Sequence, residues 1–427
     1  MPLDLDKQSR AWRAAVVFAL LLTLMSMIQG HHRAKKGRNA LLKWAPVQEA
    51  VDQGEEIYGV GAEGYPTLPL SLLVMRPFHV AGKRLGPALW AAFKLGLAWW
   101  MVASALGLAF GSARAAPGWA LWLVLLGSFR VLHSDIQHGN LNLLVGACVT
   151  AGIVALARGR EWSAGAAFGV GAVLKVTPAL GLIWLLTRRS WRGTLGFGLG
   201  VLGGILAPSS WLGLGRTLSM TRAWAEQMLL PYLGGRELTL LQTEHINQSL
   251  LGVMARHLTD AVAIPARPRG PLEAMRIGWL DLGPETFRWV HMGVCMALLC
   301  LFVWVAWTRG KGQDSPYRVL GTGALLGLTM LLLSERSWKH HHVLLPLAVA
   351  FLARAATIRH TRSLATVCLA VALLAFAGTG DALLGSWGSD LAEAYGAYCL
   401  GDLVLFLGLG RLLLDTDLSA IPPHAET

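Results

Sequence analysis

The stretch Ser334 to His342 most constrains what this chain can fold into, because it places ionisable side chains between two strongly apolar runs. Charges at membrane depth are costly, and they persist mainly where they face a cavity or contact a polar ligand. The composition agrees with a membrane setting, since 54% of the residues are hydrophobic and only 15% are charged, which is too apolar for an ordinary soluble globule. The sequence therefore predicts an integral membrane protein with a polar site.

The charge and the cysteine content exclude several classes of protein. The net charge is +12, yet lysine and arginine fall mostly in short clusters between apolar runs, where they orient membrane helices. Nucleic acid is therefore not an expected partner. All five cysteines lie inside apolar segments, so neither a disulfide framework nor a metal-ligand spacing is expected. The imidazoles of His340 to His342 cannot all face one ion from a single helix face, and we expect no metal site there.

Apolar runs of membrane length recur along the chain. The run from Trp12 to Ile28 follows Lys7, Arg10 and Arg13 and lacks a small-x-small cleavage site, which is typical of an uncleaved signal anchor. Arginine-rich turns between the later runs mark the cytoplasmic side by the positive-inside rule. Further spans are expected at 88–110, 119–132, 141–157, 191–207, 287–307, 318–333, 342–356, 363–378 and 395–413.

Residues 162–187 decide whether the number of membrane crossings is even or odd. A single crossing would place the basic turn 188–189 opposite the basic turn 158–160, which the positive-inside rule disfavours. A break at Thr177-Pro178 would instead give two half-helices, each rising only about 20 Å against a hydrocarbon core of about 30 Å. Lys175 would then lie near the floor of a funnel.

The predicted fold is an all-α, polytopic integral membrane protein with roughly twelve transmembrane helices, forming a single membrane domain over 1–427 with both termini cytoplasmic. Residues 67–80 are too short and proline-interrupted for a full span and are expected to dip in and return. The loop 30–66 is basic although it should face outward, which fits an anionic lipid head group. The expected outward loops are 30–66, 133–140, 208–286, 335–341 and 379–394.

Each polar motif also has an ordinary structural interpretation. The segment His133 to Asn140 could be a solvated loop in which Asp135 caps a helix. Lys175 could snorkel to the membrane interface. Asn247-Gln248-Ser249 matches a glycosylation sequon, a short pattern of high chance frequency. The motifs therefore gain weight only when they are considered together.

Short motifs follow one another along most of the chain. They are Gly54-x-x-Ile57-Tyr58, Tyr65-Pro66, Arg76-Pro77-Phe78, Gly139-Asn140-Leu141, Ala164-Gly165-x-x-Phe168-Gly169, Leu174-Lys175-Val176-Thr177-Pro178, Arg188-Arg189-Ser190-Trp191, Asn247-Gln248-Ser249-Leu250 and Leu333-Ser334-x-x-Ser337-Trp338-x-His340-His341. In this order they resemble glycosyltransferase family 87, integral membrane enzymes of the GT-C superfamily that take a sugar, typically mannose, from a polyprenyl phosphate. The resemblance implies a GT-C-like fold in a bacterial cytoplasmic (inner) membrane, with short broken helices and an outward-facing active site.

One residue that the resemblance implies is missing. Members of the family usually carry an aspartate, the expected catalytic base, in the first outward loop upstream of the glycine that matches Gly54. That register here falls on Arg38-Asn39-Ala40. Three interpretations remain: Asp135 has taken over, Glu49 or Asp52 reaches the site from a shifted loop, or catalysis is lost. We favour Asp135, because it lies in a short expected outward turn, flanked by His133 and His138 and near Asn140.

The remaining groups are assigned by the chemistry that the resemblance implies. A polyprenyl-phosphate sugar is already activated, so the enzyme needs a base for the acceptor hydroxyl and cations for the departing phosphate. No cofactor is expected, while assistance by a divalent cation is left open. The expected roles are Asp135 and His340 in catalysis, Lys175, Arg336, Lys339 and His341 at the donor phosphate, and His138, Asn140, Asn247, Gln248 and Trp338 at the acceptor or sugar.

A transporter is the alternative from a different class. Short broken helices, a midplane lysine and a polar cavity also describe secondary transporters, and a flippase for lipid-linked sugars would need a similar basic funnel. The order of the motifs and the lack of two matching halves favour the enzyme, of which an inactive relative is a further alternative. The expected partners are a polyprenyl-phosphate sugar donor, a lipid or glycan acceptor, and membrane lipids.

Overall fold

The structure, a computed structural model, describes residues 5–37, 39–58, 65–230, 241–266, 273–308 and 315–415. Helices make up most of it, as the sequence predicted. The all-α prediction missed one short antiparallel pair of strands, β1 (Val262–Ile264) and β2 (Met275–Arg276), within the loop 208–286. Arg38 and parts of the loops 30–66 and 208–286 lie outside the described residues.

The chain divides into two compact units. The first unit comprises Val16–Met101 and Leu132–Glu237, and the second comprises Met1–Ala15, Val102–Val131 and Leu238–Thr427. The helices that lie wholly or partly in the first unit are α1 (Leu5–Lys35), α2 (Ala40–Lys43), α3 (Ala45–Asp52), α4 (Leu70–Val80), α5 (Gly82–Phe110), α6 (Gly118–His138), α7 (Asn142–Ala157), α8 (Glu161–Leu174), α9 (Leu180–Thr187), α10 (Trp191–Leu206), α11 (Ser209–Leu212) and α12 (Leu214–Trp224). The later helices are α13 (Leu250–Leu258), α14 (Pro284–Thr308), α15 (Pro316–Leu332), α16 (Leu345–Ala355), α17 (Arg362–Ala372), α18 (Asp381–Ala394) and α19 (Ala397–Leu413).

Several helices have the length and composition of membrane spans. Among the described residues there are four, Ser9–Gly30, Gly82–Phe110, Trp191–Leu212 and Pro284–Thr308. The segments Arg362–Ala377 and Asp381–Ala394 form a pair bent by 85° that would count as a fifth. These helices agree with a polytopic membrane protein, and the full number of crossings stays a prediction.

The segment 162–187 is a helical hairpin. Helix α8 ends at Leu174, Lys175 has an extended backbone, and a single 3-10 turn at Thr177–Ala179 leads into α9. The ring centroids of Phe168 and Trp184 lie 6.0 Å apart, whereas a continuous helix would separate these positions by about 24 Å. Helix α9 therefore folds back along α8. The predicted break is confirmed, although it falls at Lys175-Val176, directly before Thr177-Pro178.

Glycines hold α10 directly against α8. A Cβ atom at Gly169 would collide with the backbone carbonyl of Phe197, and one at Gly200 would collide with that of Ala166. Small residues at such spacing allow close contact between membrane helices. Along α8, Trp162 contacts Gly196, Ala166 contacts Gly200, and Gly169 lies against residues 197–201 of α10. Because these contacts advance in the same direction along both helices, the two helices run parallel.

The basic turns at the start of α8 and α10 consequently lie side by side. Residues 159–163 and residues 189, 191 and 192 line one cavity of about 650 Å³. This is the arrangement that the positive-inside argument required, because a single crossing by residues 162–187 would have separated the two turns.

The first loop folds into short helices whose start signals are visible in the sequence. Asn39 caps α2 by accepting a hydrogen bond from the backbone N–H of Leu41 at 2.9 Å. Pro46 lies in the first turn of α3, where its missing N–H costs nothing. An apolar cluster that includes Leu41, Leu72 and Leu174 packs these helices and α4 against the C-terminal end of α8.

Two segments predicted as loops are helical. Residues 133–138 continue α6, which ends where Gly139 adopts a φ of 70°, because their polar side chains find protein partners instead of water. The predicted loop 379–394 contains α18, which is kinked where Gly385 has a φ of 68°.

The segment 67–80 contains α4, which turns back on α5 at Gly82, so that the rings of Phe78 and Trp90 lie 4.9 Å apart.

The hairpin predicts the side from which two cysteine variants are labelled. In a background without the native cysteines, Arg158→Cys and Arg192→Cys should react with an impermeant maleimide from the same side of sealed membranes. Val176→Cys, at the far end of the hairpin and 50% exposed, should not react from that side. Labelling of Arg158→Cys and Arg192→Cys from opposite sides would mean that residues 162–187 cross the membrane once.

Candidate active site

A buried ion pair joins α5 to α6 in the first unit. The Lys94 and Asp135 side chains are both 0% exposed, and Lys94 Nζ lies 2.7 Å from Asp135 Oδ2. Lys94 also donates a hydrogen bond to the backbone carbonyl of Asp135, and the Trp90 indole donates to the carbonyl of Gly139 at 2.8 Å. Burying either charge alone would cost several kcal/mol. The pair therefore fixes the end of α6 against α5.

Asp135 also connects α6 to the start of α7. Its Oδ1 accepts a hydrogen bond from the amide of Asn142 at 3.0 Å, and its Oδ2 accepts one from the backbone N–H of Leu143 at 3.2 Å. A carboxylate at the first turn of a helix satisfies backbone donors that have no partner within the helix. The carboxylate is enclosed and hydrogen-bonded through both oxygens.

Lys175 completes this polar cluster. Its Nζ donates a hydrogen bond to Asn142 Oδ1 at 3.1 Å, and its side chain is only partly buried. The cluster thus contains two lysines, Lys94 and Lys175, but a single carboxylate, Asp135, which pairs directly with Lys94. Because an uncompensated cation in an apolar interior is unfavourable, Lys175 is suited to an anionic ligand.

The geometry argues against a proton-accepting role for Asp135. A general base must come within hydrogen-bond reach of the proton that it takes, and the buried Asp135 carboxylate already has partners on both oxygens. The neighbouring His138 and Asn140 are half-buried beside the same turn, with His138 Nδ1 lying 2.7 Å from the backbone carbonyl of Ser134. Asp135 is placed to position Asn142 and Lys94.

The first unit also contains a cavity of about 300 Å³ that is lined by polar and apolar residues of α2, α3, α4 and the start of α5. It is lined by both alternative bases, Glu49 and Asp52, together with Gln48, Arg76, His79 and Lys83. Gln48 is 4% exposed, and neither of its amide atoms has a hydrogen-bond partner. The cavity thus combines carboxylates, cations and an unsatisfied amide, the groups that bind a polyhydroxylated ligand.

The two carboxylates of this cavity differ in how they are held. Asp52 Oδ1 accepts hydrogen bonds from Arg76 at 2.9 Å and from the Trp211 indole at 3.2 Å, and the Arg76 guanidinium stacks 4.3 Å from the Trp211 ring. Asp52 Oδ2 has no hydrogen-bond partner among the described residues, and the side chain is 45% exposed. Glu49 lies one helical turn earlier and is exposed. Asp52 is therefore both oriented and accessible.

Asn39 is the middle residue of Arg38-Asn39-Ala40, the register at which the resemblance implies an aspartate. Its side chain lies against Gly139, where a Cβ atom would collide with the Asn39 amide. The residue is 4% exposed and caps α2. The implied position of the family's base therefore holds a neutral side chain next to the Gly139-Asn140 turn.

In the second unit, Asn247 holds two loops together. Its Oδ1 accepts hydrogen bonds from the backbone N–H groups of Ser249 at 3.1 Å and Ser337 at 3.0 Å. Its Nδ2 donates to the carbonyls of Gln242 at 2.8 Å and Glu335 at 3.3 Å. The side chain is 0% exposed, so this amide, which the sequence suggested for the acceptor, is fully used within the protein.

Gln248 is used in the same way. Its Nε2 donates hydrogen bonds to the carbonyls of His245 at 2.5 Å and Glu393 at 2.6 Å, and its Oε1 accepts one from the backbone N–H of Tyr398 at 3.2 Å. Arg256 reinforces the joint by donating to the carbonyl of Asn247 at 2.8 Å. Burial lowers the pKa of Arg256 to about 10.

The cations and imidazoles of residues 336–341 also belong to the second unit. Lys339 Nζ lies 3.6 Å from the buried Glu393 Oε1, and Arg336 Nε lies 3.6 Å from Glu335 Oε1. The side chains of Arg336 and Lys339 are 42% and 35% exposed, which leaves them accessible to a ligand.

The imidazoles of this segment pack around one indole. The Trp338 ring lies 5.3 Å from the ring of His340 and 5.4 Å from that of His341. Behind them, His342 Nε2 lies 2.9 Å from Asp402 Oδ2 in a fully buried pair. Within the described residues, no group of three or more His, Cys, Asp or Glu side chains has the geometry of a metal site.

Sequence reasoning missed four charged residues that organise these clusters, namely Lys94, Arg130, Glu393 and Asp402. Arg130 donates a hydrogen bond to Thr379 at 2.7 Å and lies 3.6 Å from Glu393. Lys94, Arg130 and Asp402 are isolated charges within predicted spans. An isolated charge in an apolar run is itself a signal of a buried partner, and it would have identified these three. Glu393 was missed because it lay in a predicted loop.

Comparison with known proteins supports the interpretation of the motifs. Residues 65–335 match the model of glycosyltransferase family 87. A polyprenol-phosphate-mannose-dependent alpha-(1-2)-phosphatidylinositol mannoside mannosyltransferase from Mycolicibacterium smegmatis is 25% identical over 229 residues, which are 51% of this chain and 43% of that relative. The matched segment thus spans less than half of the relative's length.

A solved structure is also similar. It is the crystal structure of ArnT from Cupriavidus metallidurans bound to undecaprenyl phosphate, with a TM-score of 0.45 and 14% identity, and the similarity covers 94% of this chain and 76% of that one.

The buried pair predicts a stability effect that a second substitution should partly reverse. Lys94→Met leaves the Asp135 carboxylate without its cation, which should cost about 3–5 kcal/mol. Adding Asp135→Asn removes the unpaired charge, so the double variant should unfold at a higher temperature than Lys94→Met alone. The measurement is thermal unfolding of the purified protein in detergent, with Lys36→Met on an exposed lysine as the matched control. Wild-type stability of Lys94→Met would show that the pair does not hold α5 to α6.

Proposed function

The chain belongs to glycosyltransferase family 87, and on that premise we propose that it transfers a hexose, specifically mannose, from a polyprenyl-phosphate donor to a lipid or glycan acceptor. Family membership makes the chain a glycosyltransferase rather than a transporter. The name of the mycobacterial relative supports both the donor class and the sugar. The apolar helices support a location in a membrane, and we propose that this is a bacterial cytoplasmic membrane with the reaction at its outer side.

The observation that carries this proposal is the surplus positive charge at Lys175. The lysine lies in the break of the α8–α9 hairpin, its side chain is partly accessible, and its hydrogen bond is to the neutral Asn142 amide. Asp135, the carboxylate of the cluster, pairs with Lys94. A lipid phosphate would supply the missing negative charge.

In the proposed reaction, side chains of the protein supply a cation and a general base. The acceptor oxygen forms a bond to the anomeric carbon while the bond from that carbon to the phosphate oxygen breaks. The leaving polyprenyl phosphate gains negative charge, which Lys175 stabilises. The acceptor hydroxyl gives its proton to a carboxylate as it attacks. For the second unit, taken by itself, we propose Arg336, Lys339 and His341 as phosphate-binding groups and His340 as a proton relay. The exposure of the two cations and the chemistry of the imidazoles support these roles.

We propose Asp52 as the base, with Glu49 as its alternative. Both line a cavity that also contains the unsatisfied amide of Gln48, whereas Asp135 is enclosed. Arg76 and Trp211 fix one oxygen of Asp52 and leave the other for a proton. Of the residues first assigned to the acceptor, we keep His138 and Asn140 as a proposal for the first unit and Trp338 as a separate proposal for the second. We propose a structural role for Asn247 and Gln248.

Replacing Lys175 tests the donor site. Lys175→Met keeps the length of the side chain but removes a charge-assisted contact worth about 1.5–3 kcal/mol, so transfer should fall roughly 10- to 150-fold. The measurement is transfer of labelled mannose from polyprenyl-phosphate mannose to endogenous lipid in membranes that contain the protein. Arg158→Met, on an exposed cation outside the sites proposed for transfer, is the control and should retain full transfer. Full activity of Lys175→Met would mean that the lysine only snorkels.

Replacing the carboxylates tests the base. In Asp52→Asn the amide oxygen can still accept hydrogen bonds from Arg76 and Trp211, but the side chain can no longer accept a proton. Turnover should therefore fall about 10²–10⁴-fold. Glu49→Gln should reduce turnover only mildly. Asp135→Asn should lower the unfolding temperature, but it should change turnover little at a temperature where the variant is folded. A mild Asp52→Asn beside an inactive, folded Asp135→Asn would return the base to Asp135.

Asn39→Asp tests whether catalysis was lost from the first loop. Aspartate caps a helix as well as asparagine, so the variant should fold, and with Asp52 as the base it should not raise transfer. Inactive wild-type protein combined with an active Asn39→Asp variant would show that the base belongs at position 39.

A further inference from the structure

The cavity between the starts of α8 and α10 has no role in the proposed transfer. It lies at the opposite end of α8 from Lys175, and a helix of 14 residues separates them by about 20 Å. Its volume is about 650 Å³, which is large enough for a lipid head group. Its lining is dominated by arginine and tryptophan.

The charges of this cavity do not balance. Arg160, Arg189 and Arg192 line it together with one carboxylate, Glu161. Among the described residues these arginines form no ion pair, and all three are exposed. Glu161 lies in the first turn of α8, where it also interacts with the positive end of the helix. Three guanidinium groups against one carboxylate leave an excess of positive charge, which favours an anionic ligand.

Arg189 is held in a backbone conformation that normally selects glycine. Its φ is 56°, and it is the one non-glycine residue with a positive φ in the part of the chain that the structure describes. It lies just past α9, where the backbone N–H groups of Arg189 and Ser190 close the helix by donating to Leu186 at 2.9 Å and Leu185 at 3.0 Å. Glycine is preferred at this position of the motif. An arginine retained at a strained position indicates a use for its side chain.

The aromatic residues indicate where the anion is located. Trp162 and Trp191 line the same cavity and are 47% and 66% exposed. Exposed tryptophans at the ends of membrane helices are typical of the interface between hydrocarbon and water. A phosphate bound among these side chains would therefore lie at the depth of lipid head groups.

From the cavity, its excess of arginine, the strained Arg189 and the two tryptophans, we propose that this pocket binds the phosphate of an anionic phospholipid head group. The pocket is formed only because α8 and α10 run parallel and begin side by side. A bound lipid would bridge the two turns and secure the base of the hairpin whose other end carries Lys175.

Arg189→Gly is the decisive variant, because glycine relieves the backbone strain while removing one charge. The purified full-length protein in neutral detergent is titrated with short-chain phosphatidylglycerol and with phosphatidylcholine of the same chain length. Wild-type protein should bind phosphatidylglycerol more tightly. Arg189→Gly should weaken that binding about fivefold, the effect of one arginine near a membrane surface, while its unfolding temperature stays equal or rises. Unchanged binding by Arg189→Gly would overturn the proposal.

Two further variants separate a pocket from diffuse surface charge. Arg160→Gln combined with Arg192→Gln should weaken binding by about 25-fold. Arg158→Gln is the matched control, because Arg158 is exposed in the same turn but does not line the cavity, and it should bind as the wild type does. Equal weakening by Arg158→Gln would show that the lipid responds to surface charge and not to the pocket.

Competition distinguishes a lipid phosphate from a free one. Inorganic phosphate at the same concentration should not displace phosphatidylglycerol, because it lacks the acyl chains that keep a lipid at the interface. Displacement at equal concentration would identify a site for free phosphate and overturn the lipid assignment. Ser163→Leu, which fills part of the cavity without changing charge, should weaken phosphatidylglycerol binding, and wild-type affinity of this variant would place the lipid outside the cavity.

Discussion

The first unit depends on the buried ion pair between Lys94 and Asp135. Neither charge is stable alone in an apolar interior, so the pair forces α5 and α6 together at one point. The same carboxylate caps α7 through Leu143 and holds the amide of Asn142. That amide in turn receives Lys175. One aspartate therefore fixes the junction of three helices and leaves the second lysine without an anion of its own.

Close backbone packing between α8 and α10 determines where the two ends of the hairpin lie. Because the helices touch through glycines, α9 can return alongside them and α10 can start again beside α8. One end of the hairpin then carries Lys175 in an extended break, and the other carries the arginine turns. The arrangement separates two positive sites along one short helix. The site beside Asn142 is partly buried, and the site among the tryptophans is exposed.

Local signals in the sequence were sufficient for much of the helical fold. Helices α7 and α10 begin and end within one residue of the predicted limits, and the proline at 178 marked the hairpin, because hydropathy and proline act over a few residues. The polar segment 133–138 was misjudged, since its partners, such as Gln29 for Gln137, are distant in the sequence. Asn247 was misjudged for the same reason, because its amide binds the backbone of residues 335 and 337.

The neutral side chain at position 39 is consistent with the charge balance of the first unit. Asn39 lies against Gly139, directly after the helix that carries Asp135. An aspartate there would bring a second carboxylate to the turn that already holds Asp135. Asparagine keeps the shape and the helix cap without that charge, so the two lysines continue to share a single carboxylate. The two proposed bases are one helix further along, on α3, where Arg76 pairs with Asp52 and both carboxylates are exposed to solvent. The proposed base therefore lies outside the buried cluster, and the cluster keeps the excess positive charge that the proposed lipid phosphate would balance.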